Sequence, residues 1–203
     1  MSEESADFEQ VLSRVLMDLG ITLDSGQRSA LYAHYRLLKR WNDRMNLTTV
    51  RRLADVVTRH FGESLALASV LGPGDGSVVD IGSGGGFPGL PVAVYCPERQ
   101  IVLVESVGKK AVFLKEAARN LANARVVAGR FEDLTECFEW AVMRAVASEG
   151  LSEPLVRSVR KVAVLVSASG SEEVGRILGL SEMVEHPLVW DSRTAILTGT
   201  VQN

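Results

Sequence analysis

Val79-Asp80-Ile81-Gly82-Ser83-Gly84-Gly85-Gly86-Phe87-Pro88-Gly89 follows a short β-rich run, Ser77–Ile81, and leads into a helical segment. A strand that ends in glycines and re-enters the chain as a helix is how open α/β sheets bind ligands at the carboxyl ends of their strands. Glycine, with no Cβ, lets the backbone turn sharply and approach a ligand closely. Pro88 suits the first turn of a helix, where a missing N–H costs little.

The chain on either side agrees with this reading. Downstream, the β-rich runs Ile101–Glu105, Ala124–Ala128, Trp140–Val146 and Val162–Ser167 alternate with helical stretches, notably Gly108–Leu121. Such alternation predicts a parallel sheet with right-handed crossovers. After a short helix near Glu172–Leu178, strands Val184–Trp190 and Arg193–Thr200, joined by a tight turn at Asp191-Ser192, add an antiparallel hairpin. Upstream of the turn Gly72–Gly76 the pattern is helical. Phe8, Val11, Leu12, Val15, Leu16 and Leu19 recur at helical spacing before Gly20. Leu31, Tyr35, Leu38 and Trp41 form a second stripe, and a third helix spans Leu53 to Leu71. Between these two, the polar segment Asn42–Val50 breaks the period and reads as an exposed connection, where functional groups often sit.

The choice of ligand turns on one acid. Gly84, Gly86 and Gly89 fit the dinucleotide pattern G-x-G-x-x-G, but that pattern alone is weak. It begins several residues after the strand ends, and Asp80 stands at the strand tip, where it would repel a pyrophosphate. The same acid suits S-adenosylmethionine, whose sulfonium and ammonium are cationic and which carries no phosphate. No Gly-Lys-Ser/Thr follows, which excludes a P-loop. Glu105, ending the second strand, is placed to bind ribose hydroxyls. Gly129-Arg130-Phe131-Glu132-Asp133, after the third strand, offers backbone groups, an acid and an apolar wall to an adenine.

Bulk properties narrow the class. The 203 residues fit one domain with a small extension, and 46% hydrophobic content supports a real core. No apolar run approaches the ~20 residues of a membrane span. The acidic start MSEESADFEQ is unlike a signal peptide, so a cytoplasmic protein is expected. Cys96 and Cys137, distant from each other and without nearby histidines, argue against a disulfide framework or a metal site and read as buried hydrophobes. The formal net charge is only -3, but its distribution is uneven. Acids crowd the first 25 residues, whereas Arg28, Arg36, Lys39, Arg40, Arg44, Arg51, Arg52 and Arg59 face only Asp43 and Asp55. This basic stretch reads either as a guide for a polyanion or as an ordinary solvated face.

The ordered set of residues resembles the bacterial ribosomal RNA small subunit methyltransferase G family, also called glucose-inhibited division protein B. Trp41-Asn42 with Asn46-Leu47-Thr48 is similar to that family's N-terminal signature, and Arg59-His60 to its second. Asp80–Gly84 with Gly86–Gly89 is similar to its cofactor loop. Glu105-Ser106, Lys109-Lys110, Phe113-Leu114, Arg130 with Glu132, and Arg144-Ala145 complete the set.

The resemblance implies a Rossmann-like methyltransferase core over residues 72–203, with residues 1–71 as an RNA-facing helical extension packed on it. It implies methylation of guanine N7 in 16S ribosomal RNA, with S-adenosylmethionine as cofactor. The free RNA or the small ribosomal subunit would be the partner, and a monomer without metal is expected. Asp80, Gly82, Ser83, Gly84, Phe87, Glu105, Phe131, Glu132 and Arg144 are the expected cofactor residues. Arg144, Asn46 and His60 are the expected catalytic residues. Arg36, Arg40, Arg44, Arg51, Arg59 and Lys109 are expected to contact RNA. His60, on a largely apolar helix, also reads as a satisfied core residue, Asn46 as a loop cap, and Arg144 as a member of an ion pair with Glu132 or Glu105. Trp41 and the Tyr32/Tyr35 pair read as core rather than as base-stacking platforms.

The chain departs from the family at Glu63 and Glu139, where Asp is usual. It departs again at Ser169-Gly170 and Arg193-Thr194, where basic residues are usual. A non-catalytic RNA-binding module, and a methyltransferase of the same fold acting on a small molecule or protein, are the rival readings.

Overall fold

The computed structural model describes residues 2–144 and 150–202. Helix α1 (Glu3–Leu19) starts at Ser2, whose hydroxyl accepts the Ser5 N–H, and stops at Gly20 in the left-handed conformation. Helix α2 (Ser25–Met45) opens with a capping box. Asp24 accepts the Gln27 N–H at 2.8 Å and the Gln27 side chain accepts the Asp24 N–H at 2.9 Å. The third helical run is not one regular helix. It comprises α3 (Leu53–Val56), a π-helical turn (Val57–Gly62) and α4 (Glu63–Val70). A Cβ on Gly62 would lie 3.1 Å from Val15 and 3.2 Å from Trp190, so the backbone itself is the packing surface there. Widened turns of this kind are frequent at functional sites, and this one carries Arg59 and His60.

The sheet contains β1 (Val78–Ile81), β2 (Ile101–Glu105), β3 (Ala124–Ala128), β4 (Phe138–Arg144), β5 (Val159–Ser167), β6 (Leu180–Leu188) and β7 (Asp191–Val201). Their order is β3-β2-β1-β4-β5-β7-β6, with the first five parallel and β7 antiparallel to both neighbours. Helices α5 (Gly89–Tyr95), α6 (Gly108–Ala118), α7 (Ser152–Ser158) and α8 (Ser171–Leu178) complete the chain. Alternate residues face opposite sides of the sheet. Val78, Leu103, Val142 and Leu165 join one core cluster with the N-terminal helices, α5 and α6. Val79, Val104, Met143 and Val164 join another with Phe131, Leu155 and Leu178. The chain winds outward from β1 through β2 to β3, then returns to β4 on the other side. The switch point therefore lies between the carboxyl ends of β1 and β4, where a doubly wound sheet leaves a crevice.

Three expectations are corrected. The hairpin turn falls on Val189-Trp190, not Asp191-Ser192. Asp191 instead accepts the Arg193 N–H at 3.0 Å and so begins β7. The first hairpin strand begins at Leu180, four residues early, because Gly179 ends α8 in the left-handed conformation. Neither cysteine is fully buried: Cys96 is partly exposed, and Cys137 is exposed in the loop before β4. The expected end of the fourth strand, Ala145–Val146, lies outside the described residues, as does the Ala145 half of the Arg144-Ala145 motif. No helix among the described residues is long and apolar enough to cross a membrane, and none of their His, Cys, Asp and Glu side chains cluster in a metal-binding group.

Candidate active site

The glycine loop leaves β1 and folds back over β2. Gly82 and Ser83 both donate their N–H to Val104 O at 3.0 Å, and the Ser83 hydroxyl donates to Asp80 O at 3.0 Å. Gly82, Gly84 and Gly86 take φ of 72°, 52° and 87°, which side chains rarely tolerate. A Cβ on Gly84 would meet nothing nearer than Gly82 O at 3.7 Å, so this part of the loop faces open space. A Cβ on Gly89 would strike Leu103 and Asp80 at 2.3 and 2.4 Å, so that glycine serves close packing.

Two of the acids expected to meet the cofactor, Asp80 and Glu105, are engaged with this backbone. Glu105 is buried, and its two oxygens accept the N–H groups of Gly84 at 2.9 Å and Val107 at 2.8 Å. Each oxygen keeps a second acceptor position. Asp80 is fully buried beneath the loop, with one oxygen on the Gly89 N–H at 3.0 Å and the other without a partner among the described residues. Burial pushes its pKa from 3.8 up to about 7, against the pull of the nearby Ser83 hydroxyl and of the Gly89 hydrogen bond. Asp80 thus lies under the loop rather than on its surface.

Phe87 is also turned inward. It is stacked against His34 at 4.7 Å, tilted against His60 at 4.9 Å and edge-on to Phe61 at 5.0 Å. His34 bonds through Nε2 to Gly85 O at 2.8 Å, and burial lowers its pKa to about 4. The neutral ring therefore donates to the loop carbonyl. His34 was not singled out in the sequence. Its signal was its place on the α2 stripe of Leu31, Tyr35 and Leu38, a polar residue at a buried helical position.

Around this cluster stand the residues expected to face substrate. His60 is buried and bonds Thr48 Oγ1 at 2.7 Å. Burial first, then Arg144, Arg59 and His34, lower its pKa to about 3. Asn46 is exposed and caps α2 with its backbone at φ 47°. The side chain that shapes this loop belongs to Asn42, which was read only as part of a signature. It donates to Thr48 O at 2.9 Å and accepts the Thr48 N–H at 2.8 Å.

Arg144 ends β4. Because Ile81 pairs with Met143, Arg144 stands level with Gly82. It pairs with Glu63 at 2.7 Å and donates to Arg59 O at 2.6 Å. Its ion-pair partner is therefore on α4, and neither Glu132 nor Glu105 takes that place. Burial raises the Glu63 pKa, opposed by Arg144. Phe131 is buried, and exposed Glu132 lies 3.9 Å from Arg130.

The basic stretch is partly neutralised. Lys39 pairs with Glu4, Arg28 with Glu9, Arg40 with Glu116, and Arg51 with Asp43 at 3.8 Å. Arg36, Arg44, Arg59 and Lys109 are exposed and have no ion pair among the described residues. Two of the departures from the resembled family keep an ion pair, Glu63 with Arg144 and Glu139 with the buried Arg99 at 2.8 Å, and Thr194 donates its hydroxyl to Asp191 at 3.4 Å.

A parallel sheet of this order, with a glycine loop at its switch point, is the architecture of S-adenosylmethionine-dependent methyltransferases. The fold is similar to the crystal structure of a SAM dependent methyltransferase from Aquifex aeolicus, with a TM-score of 0.59 at 12% identity over 73% of this chain and 93% of that one. It is also similar to a putative RNA methyltransferase from Pyrococcus horikoshii, with a TM-score of 0.56 at 16% identity over 88% and 100%. Residues 27–173 match the rRNA small subunit methyltransferase G family, and the chain belongs to it. A ribosomal RNA small subunit methyltransferase G of Stenotrophomonas maltophilia is 37% identical over 93% of this chain and 86% of its own length. One of Geobacter metallireducens is 31% identical over 98% of each.

Proposed function

We propose that the chain transfers a methyl group from S-adenosylmethionine to N7 of one guanosine in 16S ribosomal RNA. The observation that carries this reading is the position of Arg144, level with the glycine loop, in a chain of this family. When bound, the cofactor supplies an electrophilic methyl on a sulfonium.

The residues present suit such a group. The positive-φ loop exposes backbone at Gly84, and Glu105 keeps acceptor positions for hydroxyls. Asp80 adds a negative field beneath the loop, and Phe131 with Glu132 closes the side after β3.

N7 of guanine has a free lone pair and no proton, so its attack needs no base. The site agrees with that requirement. His60 is neutral across the physiological range and is a poor base at a pKa near 3. It is a positioning residue that holds the Thr48 loop. Arg144, fixed by Glu63 and the Arg59 carbonyl, presents a rigid cation that orients the guanine O6 edge or a phosphate. An Arg144 bond to N7 itself would block the attack. Asn46, Arg36, Arg44 and Arg59 then face the RNA, together with Lys109, whereas Arg40 and Arg51 reach it through exposed ion pairs.

The test is a mass-spectrometric map of methylated guanosines in 16S ribosomal RNA, made with and without the protein. An N7-methylguanosine that depends on the protein is expected, and a methyl on any other atom refutes the N7 assignment. Calorimetry should show S-adenosylmethionine binding, and its absence would refute the cofactor.

A further inference from the structure

We infer that the cleft between the last turns of α2 and the exposed face of α6 is a subsite for one unpaired nucleotide of the RNA, its base stacked on Trp41. The inference rests on the RNA-methyltransferase reading and adds a place and a strandedness to it. The cleft measures about 500 Å³ and is lined by Arg40, Trp41, Arg44, Met45, Lys109 and Glu116. That volume lies in the ~300–1,000 Å³ range of sites that take small ligands. It is adjacent to the cofactor loop along the chain: Lys109 stands four residues after Glu105, the acid that binds Gly84.

Three features select the occupant. The indole packs against the edge of the core, as its helical stripe suggests, but is only partly buried, and its remaining surface lines the cleft. It is fixed in orientation, because its Nε1–H donates to Glu116 at 3.1 Å and Phe113 packs edge-on at 5.8 Å. A rigid aromatic surface beside Met45 accepts any base face. Second, the charge is cationic: Arg40, Arg44 and Lys109 oppose Glu116, and Glu116 is already bound by Arg40 and Trp41. Arg44 and Lys109 are left for phosphates. Third, a base inside a duplex is covered on both faces by its neighbours. Only a splayed or single-stranded nucleotide offers a face to a side chain, and RNA is read mostly in such regions.

The test uses the intact protein and a labelled uridine octamer, with a hairpin duplex of equal charge for comparison. Trp41→Leu should weaken octamer binding about tenfold, the scale of one stacked base. Trp41→Phe, which keeps an aromatic face, should lose only a fraction of that. Neither should change binding of the hairpin or of S-adenosylmethionine by more than about twofold. Lys109→Gln should lower the slope of log affinity against log salt by about one phosphate contact. In methylation assays Trp41→Leu should raise KM for RNA and leave kcat nearly unchanged.

Equal octamer binding by wild type and a folded Trp41→Leu variant overturns the proposal. So does an equal loss for octamer and hairpin, which would make the cleft a plain phosphate surface. If Trp41→Leu does not fold, octamer affinity of Trp41→Phe no better than that of a folded Trp41→Gln variant would deny a stacking role. Failure of the wild type to methylate 16S ribosomal RNA would sink the enzymatic reading instead, and the binding assays keep the two apart.

Discussion

Asp80→Asn should make the protein more stable and a poorer binder of S-adenosylmethionine. The carboxyl is fully buried, and its pKa rises from 3.8 to about 7. An acid whose folded pKa is raised ionises first in the unfolded chain. Stability is therefore lost as pH climbs from about 4 to about 7, and stays lost above that. At ~1.36 kcal/mol for each pH unit, the span amounts to at most about 4 kcal/mol. Asparagine removes the charge and can still accept the Gly89 N–H through its oxygen. Its amide then occupies the place of the oxygen that has no partner, and an unsatisfied buried donor costs roughly 1–3 kcal/mol. The net gain at pH 8 should be about 1–3 kcal/mol, falling away near pH 4. Urea unfolding at a series of pH values measures it. The same variant removes a negative charge beneath a cationic ligand, and calorimetry should show about tenfold weaker binding, near 1.4 kcal/mol, as for a nearby charge at an effective dielectric constant of ~20–40. Two results would refute this reasoning: an unchanged pH slope of stability, or unchanged cofactor affinity in a stabilised variant.

Gly84→Ala should fold at a cost of about 1–2 kcal/mol for its left-handed backbone, yet lose most cofactor binding, because the added methyl enters open space rather than protein; calorimetry showing normal affinity would move the cofactor elsewhere. Glu63→Gln should destabilise by about 3–5 kcal/mol, since it leaves the half-buried Arg144 uncompensated, whereas Glu63→Asp should fall between it and wild type in thermal unfolding. Arg144→Lys should lower the single-turnover rate more than it weakens cofactor binding, because one ammonium cannot span both Glu63 and the Arg59 carbonyl; equal kinetics would make Arg144 purely structural. His60→Asn should leave the pH–rate profile between pH 6 and 8 unchanged, and any inflection near pH 7 should vanish in Asp80→Asn instead; an inflection removed by His60→Asn would overturn the base-free mechanism.

The sheet was legible because its signals are local. A parallel strand buried on both faces is an unbroken apolar run, as in Ile101–Glu105, and both that strand and the partly exposed edge strand Ala124–Ala128 begin and end where the sequence reading places them. The π turn was invisible, because apolar spacing from Leu53 to Leu71 does not distinguish a regular helix from one widened over Val57–Gly62. The hairpin turn was misplaced for a related reason: Asp-Ser is good turn chemistry, but here Asp191 spends its carboxylate on Arg193 and Thr194 within the strand. At the candidate site, the place of the glycines after β1 and of Glu105 at the end of β2 could be read from position along the chain. Side-chain direction could not. Asp80 and Phe87 belong to the right motif yet point into the core, and the partner of Arg144 is Glu63, distant in sequence.

The inward direction of these side chains has a mechanical reason. Methyl transfer without a base depends on aligning nucleophile, methyl and leaving group, and effects of ~7–11 kcal/mol rest on geometry that small displacements destroy. Flexible surface contacts hold such tolerances poorly. Here the loop proposed to face the cofactor and the loop proposed to face the RNA are fixed to the same buried cluster. Gly85 hangs from His34, Thr48 from His60, and both imidazoles pack against Phe87. Arg144 and Glu63 tie the end of β4 to the helical run that carries His60. Neutral rings suit this place: they fill a dense interior, and each gives one hydrogen bond to a loop without a charge to desolvate. A residue that reads as catalytic from its motif can therefore act at a distance, by fixing where the reacting groups are allowed to sit.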